Sequence, residues 1–519
     1  MTTAIVDFHA LLKAVVDKVG KYKVYNTLRH DKNTADRWLD GGQPEDSRDI
    51  GGLIRLALVN GIEITKYQTF TPIYDFSPEL SYEDNMFAGP PELNWVWDRQ
   101  DEPPTHRFNV SDFILDCPLG VGAGPLTGND TYTITMLNLG FIGPTTFKTR
   151  RAGFKEGLEK PQIAFVLQPP ALLDASSGRP PEVLVTCRRS DIRGIPEIVN
   201  SMGVPSEAAA VWQKQYENVK NHPRGKCVGL SVMGEDTREK TIKQDFQEAI
   251  ARAQEMAPPF IELNVSCPNL KGKDLYRDPE MLREICAAAK QQIKQKSLLF
   301  LKLPCVLPLH LPALLKACGD LADAMVFKNT VRVRPVKEYK DGTRIPAFLG
   351  REFGGLSGPS TFPLTLRGVR EIAKLRQQLG QKFAIVAVGG IQTAEDVAKL
   401  LEAGACGVQA VTTPMFDPLL ALKVRYRLRE LIDSTRQSRD AVEMQVGLLT
   451  PRDEAECMAL SEASQAANEV RQRNADFSYA TFTRKWNVWL QQRSSNLPGQ
   501  AQRLRASRRK IDWIRDFTS

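Results

Sequence analysis

Residues 260–279 read Phe260-Ile-Glu-Leu-Asn264-Val-Ser-Cys267-Pro-Asn269-Leu-Lys-Gly272-Lys-Asp-Leu-Tyr-Arg-Asp-Pro279. An apolar strand, Phe260 to Leu263, runs into Asn264, and a polar turn then presents Cys267 between Ser266 and Pro268. Such a strand end, carrying amides and a thiol, suits the rim of a parallel barrel, where side chains from several strand ends meet a ligand. A lone cysteine at a strand end is more commonly buried and inert. The two asparagines flanking Cys267 set this one apart. Leu270 to Asp278, with Gly272 between two lysines, is expected to form a lid that shuts water out of the site.

Outward from this stretch, short apolar segments begin near Leu119, Phe141, Cys227, Phe260, Leu298, Ala324, Ala384 and Gly407. Helical periodicity falls between most of them, for example over Asp245 to Met256, Pro279 to Lys294, Leu364 to Leu379 and Ala394 to Ala403. This alternation across 105–430 predicts an α/β fold, a (β/α)8 TIM barrel, in preference to an open sheet. The piece 150–225 is too long for a βα loop and is expected to add a hairpin or lid over the C-terminal face.

Three further regions flank the barrel. Residues 1–65 form a small helical module, with Phe8, Leu11, Leu12, Val15, Val16 and Val19 on one face, then helices near 24–28, 33–39 and 53–59. Thr34-Ala-Asp-Arg-Trp-Leu-Asp-Gly41 resembles a helix-turn-helix, but Asp31, Asp36, Asp40, Glu45 and Asp46 crowd it with negative charge. The expectation is a packing or dimerisation module, with nucleic acid not a partner. Residues 66–104, rich in Pro, Asp, Glu and aromatics, read as a linker or strap. Residues 431–519 read as a helical, basic C-terminal extension, in which Trp486, Trp489 and Trp513 suggest packing on the barrel or a partner subunit.

The bulk numbers exclude several classes. Apolar and charged contents of 42% and 25% are ordinary for a globular protein, and no long uncharged apolar run exists. The N-terminus lacks the layout of a signal peptide, so a cytoplasmic location without transmembrane segments is expected. Nine dispersed cysteines, none closer than the thirteen residues from Cys305 to Cys318, argue for reduced thiols. They offer no Cys-x-x-Cys pair, and no metal is expected.

Glycines and amides supply the remaining signals. Gly120-Val-Gly-Ala-Gly124-Pro-Leu-Thr-Gly128 follows the first strand, Gly354-Gly-Leu-Ser-Gly358 forms a second glycine-rich loop, and Val388-Gly-Gly-Ile391 ends the seventh strand. Val411-Thr-Thr413 ends the eighth. Phosphate sites in barrels are built from the loops after strands seven and eight and a helix N-terminus, here the helix opened by Thr393. The combination points to a phosphorylated cofactor. Asn200, Asn264, Asn269 and Asn329-Thr330 converge on the same rim, which implies a ligand with many hydrogen-bonding edges. Lys148 and Lys302 are its cations, and a lysine inside a barrel strand is rarely idle because unpaired burial is costly.

The ordered series Asn200-Ser-Met-Gly203, Asn264-Val-Ser-Cys-Pro-Asn269 with Gly272-Lys273, Leu301-Lys-Leu303, Asn329-Thr330, Gly354–Pro359, Val388–Ile391 and Val408–Thr412 resembles the dihydroorotate dehydrogenase family. Cys267 at the base position is similar to the soluble cytosolic class. The resemblance implies FMN, with Ala123, Gly124 and Lys148 at the flavin ring and Lys302 at its N1–O2 edge. It implies Gly358, Gly389, Gly390, Val411 and Thr412 at the phosphate. Asn200, Met202, Gly203, Asn264, Asn269, Asn329 and Thr330 would cradle the pyrimidine, with Lys148 near its carboxylate. Cys267 would take the C5 proton of (S)-dihydroorotate while C6 gives a hydride to flavin N5. A homodimer is expected, and fumarate, a quinone or a partner flavoprotein remain as electron acceptors.

The chain departs from the family in its first hundred residues, its long C-terminal tail, its insertion at 150–198, Thr127 in place of a lysine, and Lys328, which matches no family position. Three other readings compete. A dihydropyrimidine dehydrogenase-like enzyme would bring iron–sulfur clusters and a histidine in place of Asn269. Transfer-RNA dihydrouridine synthases usually read Asn-x-Gly-Cys-Pro. A non-catalytic barrel scaffold has no need of the full set of amides, thiol and lysines.

Overall fold

The computed structural model describes residues 6–28, 30–42, 44, 47–67, 77–91, 108–110, 113–115, 117–168, 180–192, 194–265, 275–293, 297–305 and 308–428. The described residues all fall in one compact unit, Met1–Ile432. The expected C-terminal extension therefore lies outside the described residues.

Four helices begin the chain: α1 (Phe8–Val19), α2 (Lys21–Leu28), α3 (Lys32–Leu39) and α4 (Ser47–Val59). Asp7 and Asp31 cap α1 and α3 by accepting from Ala10 N and Thr34 N. Leu11, Leu12, Val15, Val24, Leu53 and Ile54 are buried, as helical spacing requires. A fifth helix, α5 (Tyr82–Ala88), stands within the segment read as a linker. It is capped by Ser81, and Gly157 N–H donates to Glu83 Oε1 at 2.9 Å.

The hairpin β1 (Phe108–Val110) and β2 (Phe113–Leu115) precedes the barrel. Barrel strands β3 (Leu119–Val121) and β4 (Thr145–Arg150) are separated by helix α6 (Asp130–Asn138). An excursion then forms β5 (Ile163–Val166), β6 (Glu182–Thr186), β7 (Ile198–Asn200) and helix α7 (Ala209–Asn221). The barrel resumes with β8 (Val228–Val232), α8 (Ile242–Gln254), β9 (Phe260–Asn264), α9 (Pro279–Gln292), β10 (Leu298–Leu303), α10 (Leu311–Cys318) and β11 (Ala324–Phe327). A second excursion makes β12 (Val331–Glu338), β13 (Arg344–Pro346) and β14 (Gly354–Ser357), and α11 (Phe362–Gln378) follows. The last barrel elements are β15 (Ala384–Val388), α12 (Ala394–Glu402), β16 (Gly407–Ala410) and the short α13 (Thr412–Phe416).

The eight barrel strands run in the order β3-β16-β15-β11-β10-β9-β8-β4, parallel at each paired neighbour. At the seam between β3 and β4, Gly143 N–H donates to Leu119 O at 2.9 Å and Val121 N–H to Thr145 Oγ1 at 3.2 Å. The seam needs glycine: a Cβ at Gly143 would lie 2.3 Å from Leu119 C, and one at Gly120 would lie 2.6 Å from Pro144 C. Gly120 thus serves barrel closure rather than a ligand. The (β/α)8 barrel read from the strand–helix alternation is the observed fold, with the second strand starting at Thr145 instead of near Phe141.

The first excursion is more than a hairpin. Its three strands join the three from the second excursion in one six-stranded sheet, order β13-β12-β14-β7-β5-β6, and β12 also pairs β6. Gly354–Gly358, read as a loop, is strand β14 and its exit. Val331, Val333 and Leu356 join a second small core with Ala164, Val183, Val199 and Phe348. Among the described residues, no helix is long and apolar enough to cross a membrane.

Candidate functional site

The interior of the barrel is stacked in levels along β9 and β10. Alternation sends Phe260, Glu262 and Asn264 of β9 inward. Lowest, the Phe260 and Phe300 rings stack at 4.1 Å, with Phe113 of the β1–β2 hairpin edge-on to Phe260 at 5.9 Å. Above them Glu262 Oε1 lies 3.6 Å from Lys302 Nζ. Asn264 then closes β9 at the rim.

A chain of polar side chains fixes the rim. Asn264 Nδ2 donates to Thr149 Oγ1 at 2.9 Å, and Thr149 shares a hydrogen bond of 2.9 Å with Ser231 Oγ. Asn329 Nδ2 donates to Asn264 Oδ1 at 3.4 Å, while Asn329 Oδ1 accepts from Thr330 N–H at 2.8 Å. Asn200 Nδ2 donates to Gly355 O at 3.0 Å, tying the ends of β7 and β14 together. Lys148 Nζ lies 5.0 Å from the centroid of the Tyr82 ring, a cation–π contact supplied by α5. Burial pushes the Tyr82 phenol well above its ordinary value, so it stands neutral beside the lysine.

Lys148, Thr149, Asn200, Asn264, Asn329 and Thr330 line one open cavity of about 1150 Å³, solvent-facing mouth included. Its wall holds Ala123, Gly124, Lys148, Asn200, Met202, Gly203, Asn264, Lys302, Asn329, Thr330, Gly358, Gly389, Gly390, Val411 and Thr412. Strand ends of the barrel and of the added sheet therefore face one space. Cys267 and Asn269, and the lid expected over Leu270 to Asp278 except its last turn, lie outside the described residues.

One end of the cavity is a glycine cradle. Gly389 and Gly390 have φ of +108° and +82°, a left-handed conformation that side chains resist. A Cβ on Gly390 would lie 2.3 Å from Phe362 N, so the backbone of this turn packs directly on the start of α11. Thr365 Oγ1 donates to Gly389 O at 3.0 Å, and Thr361 Oγ1 to Gly358 O at 2.9 Å. This small-residue, hydroxyl-rimmed turn fits a phosphate, as the barrel position suggested. Helix α12 is a different matter. Asp396 Oδ2 accepts from Gln392 N and Thr393 N, and Thr393 Oγ1 accepts from Asp396 N, so α12 caps itself with its own side chains.

Sequence reasoning missed several residues that line this wall or hold its side chains in place. Thr149 orients Asn264 from a strand distant in sequence, a contact no linear pattern reveals. Tyr82 reaches Lys148 from sixty-six positions upstream. Glu262 was visible as the only charge in the apolar run Phe260–Leu263. Lys328, to which the resemblance assigned no role, lines the cavity at 3% exposure.

Comparison with known proteins agrees with this architecture. The sequence model of the family described as dihydroorotate dehydrogenase matches residues 189–432. A protein of Aquifex aeolicus named as a putative dihydroorotate dehydrogenase A (fumarate) is 38% identical over 236 residues, 44% of this chain and 70% of its own. One of Solibacter usitatus with the same name is 34% identical, over 33% of this chain and 54% of its own, so the match spans about half of that relative. The solved structure of ligand-free DHODH from Eimeria tenella superposes with a TM-score of 0.54 over 69% of this chain and 96% of its own; at 22% identity it shows the fold. Family match and barrel topology coincide on the strands that bear the amide rim and the glycine cradle, and the chain belongs to the dihydroorotate dehydrogenase family.

Proposed function

We propose that this chain is an oxidoreductase of CH–CH bonds that oxidises (S)-dihydroorotate to orotate with FMN. The observation that carries the reading is the convergence of Asn200, Asn264, Asn329, Lys148 and Lys302 on one cavity whose far end is the Gly389–Gly390 cradle. The amides offer paired donors and acceptors to a pyrimidine ring, and Lys148 meets its carboxylate. Met202, Gly203 and Thr330 close the same wall, and the reading gives Asn269, by its place in the sequence after β9, the same pyrimidine-binding role. Ala123 and Gly124 approach the flavin ring, and Gly358, Val411 and Thr412 join the cradle at its phosphate.

When bound, FMN supplies a two-electron acceptor for the hydride leaving C6. Cys267, as thiolate, takes the C5 proton and becomes a thiol, so that proton and hydride leave adjacent carbons and a double bond remains. Lys302 holds a positive charge beside the acceptor and is itself held by Glu262. Fumarate stands in the names of the two bacterial relatives and is the first acceptor to offer to the reduced protein, before a quinone or a partner flavoprotein.

Cys267→Ser tests the assignment of the base. The variant should retain FMN and lose flavin reduction by dihydroorotate at neutral pH by about two orders of magnitude or more, with partial recovery at high pH. Reduction at the wild-type rate would place the base elsewhere.

A further inference from the structure

The geometry assigns Lys328 as a cation of the cofactor cradle: its ammonium bonds the phosphomonoester of the bound cofactor. This inference rests on the FMN reading above and adds to it a charge that the family resemblance did not supply. The residue follows β11 and is 3% exposed, yet it lines the cavity. A Cβ built on Gly389 would lie 3.3 Å from Thr361 Oγ1, 3.5 Å from Lys328 Nζ and 3.6 Å from Thr365 Oγ1. The space above the Gly389 backbone is thus ringed by two hydroxyls and one ammonium.

Among the described residues, Lys328 Nζ has no hydrogen bond and no ion-pair partner within 4 Å. A buried ammonium left in that state is costly, and an arriving anion relieves the cost. The groups facing it are Glu197 and the Cys305 thiol. Glu197 is already engaged, accepting from Ser360 N at 2.5 Å and from Ser360 Oγ at 2.9 Å. Its carboxylate would repel a phosphate, and Lys328 offsets it. Burial holds the Lys328 amine below its ordinary value in the absence of an anion, which agrees with a site that is completed by a dianion.

The test uses the full-length protein stripped of flavin and titrated with FMN and with riboflavin, followed by flavin fluorescence. The two ligands differ only in the phosphate. Lys328→Met should weaken FMN by about 10- to 100-fold, the range for a charge-assisted hydrogen bond to phosphate, and leave riboflavin within about twofold. Inorganic phosphate should compete with FMN in the native protein and lose that ability in the variant. Lys328→Arg should recover part of the FMN preference. Equal weakening of both flavins would mean a packing role and overturn the inference, as would unchanged FMN affinity. Restoration of FMN affinity by adding Glu197→Gln to Lys328→Met would assign the lysine to Glu197 alone and also overturn it. Failure of the native protein to bind either flavin would instead sink the FMN reading.

Discussion

Glu262 Oε1 lies 3.6 Å from Lys302 Nζ, with the two side chains 0% and 4% exposed on neighbouring strands of the barrel. Neither carboxylate oxygen of Glu262 has a hydrogen-bond partner among the described residues. The lysine is therefore the main compensation for a fully buried acid, and the acid fixes the lysine beneath the cavity. Removing one partner of such a pair leaves a buried charge uncompensated, whereas removing both does not. Glu262→Leu should cost about 3–5 kcal/mol in urea unfolding, and Glu262→Leu with Lys302→Met appreciably less than the sum of the single changes. Additive costs would show that the two residues act independently.

Thr149 is a positioning residue for Asn264. Thr149→Val removes the acceptor for Asn264 Nδ2 and the partner of Ser231 Oγ while keeping the side-chain shape. Loss of one such bond is worth about 1 kcal/mol, so kcat/KM for dihydroorotate should fall about 5- to 10-fold with flavin content unchanged. A loss of flavin, with substrate kinetics otherwise intact, would put Thr149 at the cofactor instead.

Two glycines of positive φ separate strain from contact. Gly380 has φ of +64° and open space within 4 Å of where a Cβ would stand, whereas Gly390, at +82°, would drive a Cβ to 2.3 Å from Phe362 N. Gly380→Ala should cost about 1–2 kcal/mol through backbone strain alone and keep flavin binding. Gly390→Ala adds a backbone clash of about 1–3 kcal/mol and should also abolish flavin retention. Thermal unfolding and the absorbance of the purified variants read both effects.

Glu197 gives the fold a pH dependence of defined sign. Burial raises its carboxyl above the ordinary value, against the lowering pull of the Ser360 bonds and the Lys328 charge. Between pH 4.5 and the raised folded value, the native state holds a proton that the unfolded chain has released. Stability from this group is complete below pH 4.5 and is lost as the pH rises through that window. Glu197→Gln should shrink the fall in melting temperature between pH 4.5 and neutrality. Parallel curves for the two proteins would assign the dependence to other groups.

Burial also sorts the thiols. Cys227, enclosed just before β8, is pushed up to about 12 by burial, so it stays a thiol at neutral pH. Iodoacetamide at about neutral pH should leave Cys227 unmodified in the native protein and alkylate it after unfolding. Modification at the native stage would contradict the burial of this residue.

The barrel was legible because its strands are short apolar runs with amphipathic helices between most of them. Most of the cavity wall was legible because strand ends in such a barrel share one face, so Asn264, Asn329 and Gly389 group together before any contact is known. The added sheet was not legible. Its strands β6 and β7 pair with β12 and β14 from more than a hundred residues away, and register between distant segments leaves no local mark. Val331-Arg-Val-Arg334 does alternate buried and exposed, a strand signal that the glycines at 354–358 overshadow. The Thr149–Asn264 and Tyr82–Lys148 contacts lie beyond sequence reading because each depends on where two separate elements end.

The most direct test of the central claim is to add (S)-dihydroorotate to the purified, flavin-loaded protein under anaerobic conditions and follow flavin absorbance. Stoichiometric bleaching of the flavin with formation of orotate is expected, and no bleaching by dihydrouracil. An oxidised flavin that persists in excess dihydroorotate, or one bleached by dihydrouracil instead, would contradict it.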